Sequence, residues 1–143
     1  MKHLRAGLFA GLLVASNAAG VCVNGNPTVR YEYFHSNAVF LGTVLSAKEI
    51  PAESDSDKGF LDGSMYKVRV DKTFRGKLGR TVDIFSENSS GRFPMDVGRQ
   101  YLVFVYGDLK RTMVDNCGNS GLVTERSSAL KQIKQIQERQ RSR

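Results

Sequence analysis

After its first twenty residues this chain holds a single histidine, His35, and it stands beside Ser36, a base next to a hydroxyl. That pairing is the least that base-assisted nucleophilic attack requires. The surrounding residues do not complete it. Tyr31, Tyr33 and Phe34 make the setting aromatic, and no nucleophile elbow or glycine cluster for an oxyanion accompanies it. Asp83, Glu87, Asp96 and Asp108 stand singly at strand ends and turns, where carboxylates read as solvated. Asp55-Ser56-Asp57-Lys58-Gly59 shares the opening spacing of a calcium loop, but the further ligands do not follow, so it reads as a solvated hairpin loop. Base, nucleophile and stabiliser never converge, and the expectation is a protein without catalytic residues, metal or cofactor.

Export frames the remaining chemistry. Lys2 and Arg5, then the apolar run 8–15, then small residues at 16–20 have the layout of a secretory signal peptide over 1–20. Cleavage is expected after Ala18 or Gly20. The run is too short to span a bilayer, and no later segment is apolar for long enough. The expected protein is secreted or periplasmic, with one domain over 21–137 and a basic, disordered tail over 138–143. Its two cysteines, Cys22 and Cys117, sit at opposite ends of that domain. In an exported chain an even count reads as a disulfide, and a thiolate metal site would lack partner ligands. Closing so long a loop stabilises by roughly 4 kcal/mol in the chain-entropy treatment.

Charge points to anionic partners. The full chain carries a net +7, and removing Lys2 and Arg5 leaves 19 basic residues against 14 acidic ones. Acidic residues gather at Glu53, Asp55, Asp57 and Asp62, and basic ones load the C-terminus from Arg126 to Arg143. Such a balance favours anionic glycan, lipid head groups or acidic protein, and equally suits a plain soluble surface.

The elements that must hold these groups are mostly strands. Tyr66, Val68, Val70 and Phe74 alternate with Lys67, Arg69, Asp71, Thr73 and Arg75. A side-chain period of two places the first set on a dry face and the second on a wet one. Strands are expected at 38–47, 65–74, 81–86, 99–106 and 109–114. Gly42 marks a bulge or bend in the first, and the fourth, apolar on both faces, reads as central. A polar loop fills 51–63. A short helix opens at Asn26-Pro27, buries Val29, Tyr33 and Phe34, and ends near Ser36. A final helix, capped by Thr124 or Ser127, presents Ala129, Leu130, Ile133 and Ile136 on one face. The fold class is therefore mainly β: a five-stranded Greek-key OB-fold barrel between an N-terminal helix and a C-terminal amphipathic helix.

Four pieces in this order carry a family resemblance: Val39-Phe40-Leu41-Gly42-Thr43-Val44, then residues 66–76, then Gly98-Arg99-Gln100-Tyr101-Leu102-Val103, then Asn116-Cys117. Over roughly 22–136 the chain resembles the netrin-like (NTR) domains and, within them, the tissue inhibitors of metalloproteinases. The resemblance implies an inhibitor whose terminal amine and carbonyl, held by a disulfide-anchored Cys-x-Cys start, chelate the zinc of a partner metalloprotease. Cys22 matches the second cysteine of that start, with Gly20 in place of the first. Ser90 stands where the first cysteine's partner would be, so that bridge is missing at both ends. The Cys22–Cys117 pair then corresponds to the family's second bridge. The implied contact ridge is Val21, Cys22, Val23 and Asn24 beside Asn88, Ser89 and Ser90. The same residues also read simply as an N-terminal strand pinned over the barrel mouth.

A second partner class follows from Lys67, Arg69 and Arg75, whose basic face could take an anionic glycan or cell-surface polymer. Nucleic acid is not expected there. Base stacking needs aromatics among the cations, and Phe85 is the only candidate on an outward face. Asn88-Ser89-Ser90 also meets the N-glycosylation pattern.

Overall fold

A computed structural model describes Cys22 and residues 25–52, 61–108 and 111–142. The expected signal segment 1–20, Val21, Val23, Asn24 and the calcium-like run at 55–59 lie outside the described residues.

Helix α1 (Val29–His35) leads into β1 (Ala38–Pro51), β2 (Leu61–Arg75), β3 (Thr81–Glu87), β4 (Gln100–Asp108), β5 (Arg111–Met113), β6 (Gly121–Leu122) and helix α2 (Ser127–Arg141). Strand β1 pairs antiparallel with both β2 and β4, and β2 with β3. Strand β5 joins β3 in parallel through Phe85 and Met113, and runs antiparallel to β4. Five strands thus close a ring of pairings in the order β1, β2, β3, β5, β4 and back to β1. The two-residue β6, absent from the expectations, adds to β4 opposite Tyr101 and Leu102.

The ring explains why β4 is apolar on both faces. Tyr101, Val103 and Val105 point inward with Phe40, Val44, Val68 and Ile84. Leu102 and Phe104 point outward into a second core with Val29, Tyr33, Ala129, Ile133 and Ile136 of the two helices. Tyr66 and Val68 follow the expected alternation, but Phe74 does not. Register shifts between β1 and β2 at Val39/Phe40 and Leu41/Gly42 bring Phe74 into the helix layer instead. Phe85, expected on an outward face, is 6% exposed.

Several boundaries move. Strands β1 and β2 run further than expected, taking residues from both ends of the presumed 51–63 loop. The N-cap of α1 is Thr28, whose side chain accepts from the Tyr31 N–H, rather than Asn26. Helix α2 is capped by neither Thr124 nor Ser127; its N-cap position is Arg126, without a side-chain bond. It also continues through Arg141, so most of the tail expected to be disordered from 138 is helical. Basic residues in its last turn complement the partial negative charge of the exposed carbonyls there.

Gly42 sits where the strands bend, and the register shift is present as expected. A Cβ at this position would lie 2.5 Å from Val68 Cγ1, 2.7 Å from Phe40 Cε2 and 2.9 Å from the Arg69 carbonyl. Gly42→Ala should therefore cost about 2 kcal/mol through overpacking. Thermal denaturation reads this directly, and a melting midpoint at or above the parent's would contradict the packing described.

Candidate functional site

The expected disulfide is formed. Cys22 and Cys117 are 95 residues apart in sequence, and their Cα atoms are 5.7 Å apart. This bridge ties the start of the described chain to the loop that precedes β6. A second tie comes from Asn119, whose side-chain amide donates to the Pro27 carbonyl at 2.9 Å and to Glu32 Oε2 at 2.6 Å. The Asn119 backbone N–H also donates to Glu32 Oε2, at 2.6 Å. Cys117 itself is oriented by its N–H, which donates to the Asp115 carboxylate at 2.8 Å.

Helix geometry puts Glu32 there. Val29, Glu32 and Tyr33 share one face at i, i+3, i+4, and that face is buried. Glu32 is fully buried, and its Oε1 has no hydrogen-bond partner. Tyr106 lies close enough for its hydroxyl to respond to this carboxylate. Burial holds the Tyr106 hydroxyl protonated well above its ordinary value of 10.0; a hydrogen bond with Ser36 opposes it, and the nearby negative charge of Glu32 adds to the rise. Burial likewise raises Tyr101. A raised value means that the folded chain holds its proton more tightly than the unfolded one. The associated stability is complete below pH 10 and declines as pH rises beyond it. Absorbance at 295 nm should therefore show Tyr106 and Tyr101 ionising only as the protein unfolds in alkali, and Tyr106→Phe should shallow that loss of stability.

Beside this anchored start lies a cleft of about 750 Å³. Gly25, Asn26 and Pro27 line one side, Glu87, Ser89 and Gly91 another, and Tyr106 and Val114 contribute to its lining. Of the expected ridge, Ser89 alone among the described residues lines this depression. Of the ridge itself, Val21, Val23 and Asn24 fall outside the described residues, while Asn88, Ser89 and Ser90 form an exposed turn. Asn88 donates to the carbonyls of Leu61 and Asp62, through its side chain at 3.1 Å and its backbone at 2.7 Å. Ser89 Oγ accepts from the Gly91 N–H at 3.2 Å, and Ser86 Oγ from the Phe93 N–H at 2.9 Å. These bonds define the turn without any cysteine at position 90.

The expected basic face does not hold together. Lys67 Nζ is 2.8 Å from Asp83, and Arg69 Nε is 2.8 Å from Asp71. Burial pulls the Asp71 carboxyl upward, but hydrogen bonds from Thr43, Gln100 and Arg69, together with the Arg69 charge, outweigh it and hold the group below 3.8. Arg75 lies elsewhere, half-buried, donating to the Ser36 and Phe34 carbonyls at 3.1 and 3.2 Å. These cations are neutralised or occupied by the chain's own groups. His35 and Ser36 are likewise engaged separately. The His35 ring stacks on Tyr31 at 3.9 Å, while Ser36 Oγ is buried and donates to the Glu32 carbonyl at 2.7 Å.

No family model matches the chain, and no curated protein matches it. Among the described residues no group of three or more His, Cys, Asp or Glu could hold a metal ion, and no helix is long and apolar enough to cross a membrane.

Proposed function

We propose that this chain is an exported, non-catalytic protein-binding module of the netrin-like type, acting on a zinc metalloprotease as the tissue inhibitors of metalloproteinases do. In this reading the ring of five strands is a Greek-key barrel of the OB type. The pairing order β1, β2, β3, β5, β4 and the flanking helices support it. The observation that carries the functional reading is the anchoring of the chain's start beside the 87–91 turn. One disulfide holds Cys22, and the Asn119 hydrogen bond to Pro27 holds the stretch 25–27 that lines the cleft. A partner then meets a surface that loses little conformational entropy on binding. A mature terminus at Ala19 or Val21 would offer a neutral amine and a carbonyl to the open coordination position of a partner's zinc. Without the family's first bridge those donors are held less firmly than in its members.

The test begins with sequencing the mature N-terminus. Protein with that terminus is then assayed against a panel of zinc endopeptidases, beside a version carrying two extra residues in front. Inhibition by the first and not the second is expected. Equal inhibition by both would eliminate chelation, and no inhibition or complex formation across the panel would overturn the inhibitor reading.

A further inference from the structure

The positive charge that the sequence assigns to a strand face is unneutralised between the helices instead. Arg30 and Phe34 share a face of α1 at i, i+4, and Ile136, Arg139 and Gln140 share a face of α2 at i, i+3, i+4. The helices pack on each other through Tyr33, Ala129, Ile133 and Ile136, so these faces converge. Arg30, Phe34, Ile136, Arg139 and Gln140 together line a cleft of about 320 Å³, which shares no residue with the larger one. The Arg30 guanidinium rests over the Phe34 ring, 5.2 Å from its centroid, which restricts its conformations. Among the described residues neither Arg30 nor Arg139 has a carboxylate partner. The rest of α2 adds Lys131, Lys134 and Arg141 against one carboxylate, Glu138.

Two guanidinium groups facing one depression repel each other unless an anion lies between them. We infer that the α1–α2 cleft binds a sulfate or phosphate group, held between the Arg30 and Arg139 guanidinium forks with the Gln140 amide as a neutral donor. Guanidinium forks donate paired hydrogen bonds to oxyanions, and two forks arriving from different helices need a ligand with more than two accepting oxygens. A tetrahedral dianion meets that requirement better than a single carboxylate. The apolar sides of Phe34 and Ile136 exclude water from part of the cleft and strengthen the attraction. This site is independent of the protease-binding reading.

Nuclear magnetic resonance titration of the intact mature protein tests it, with sodium sulfate and sodium phosphate added at constant ionic strength against sodium chloride. Saturable shifts are expected at the Arg30 and Arg139 Nε–H groups for both dianions and not for chloride. Arg30→Gln and Arg139→Gln should each weaken binding roughly tenfold, the loss of one charge-assisted pair. The double variant should abolish it, while Lys67→Gln and Arg69→Gln leave it unchanged. A heparin-derived tetrasaccharide distinguishes the sources of the group. Tighter binding than sulfate, lost in the double variant, identifies a sulfated glycan as carrier, and affinity no greater than that of sulfate identifies a free anion. Equal shifts with chloride, no saturation with either dianion, or a double variant binding within about twofold of the parent would overturn the proposal.

Discussion

Replacing both Cys22 and Cys117 by serine should lower stability by about 4 kcal/mol and the melting midpoint by roughly 15 °C. The estimate rests on the 95-residue separation that the bridge closes, because a long loop gains most freedom when it opens in the unfolded chain. The hydrogen bond from Asn119 to Pro27 cannot compensate, since one such bond contributes about 1 kcal/mol net. The ring itself should survive. Its pairings and its inward core involve neither cysteine, so far-ultraviolet circular dichroism at low temperature should match the parent's. What should be lost at that temperature is the placement of residues 25–27 beside the 87–91 turn, and with it any inhibition that depends on an ordered start. Urea unfolding that places the variant within about 1 kcal/mol of the parent would show that the bridge closes a loop already constrained by other means.

Strands with a clean alternation were readable because burial on one side leaves a two-residue rhythm in the letters. Val82 and Ile84, or Tyr66 and Val68, show it plainly. The run 101–105 was readable as a central strand because it is apolar on both faces, but which layers cover it was not: one is the ring interior and one the helices distant in sequence. Phe74 was misplaced because register shifts along its pairing with β1 turn its side chain to the other face, and Phe85 because a strand residue read as outward is buried in the fold. Glu32 was missed for a different reason. An acidic residue in a helix reads as solvated, although its spacing from Val29 and Tyr33 already placed it on the buried face. The α1–α2 cleft was out of reach, since Arg30 and Arg139 meet only through the folding of the whole chain. The pairing of the strand-face cations with Asp71 and Asp83, one from the same strand and one from its neighbour, was not legible before the register was known.

Glu32→Ala should cost about 3 kcal/mol, more than its loss of apolar contacts could explain. The carboxylate is fully buried, and two N–H groups of Asn119 converge on its Oε2 at 2.6 Å. Such charge-assisted bonds in a poorly screened interior are worth roughly twice their neutral counterparts. Removing the acceptor leaves the Asn119 backbone N–H without its partner, while the side-chain amide keeps only the Pro27 carbonyl. Replacing a buried charge by an apolar group is often harmless, but only where its partners go with it. Here they stay, since the change at position 32 leaves the Asn119 backbone N–H in place. Glu32→Gln separates the contributions. It keeps the volume and one acceptor oxygen, and its amide replaces the unpartnered Oε1, so it should cost only about 1 kcal/mol. A double-mutant cycle of Glu32→Ala with Asn119→Ala should then show coupling of at least about 1 kcal/mol, because both changes remove the same side-chain bond. Additive effects in that cycle, or an alanine variant as stable as the glutamine one, would mean that α1 is held to the Cys117 loop by packing alone.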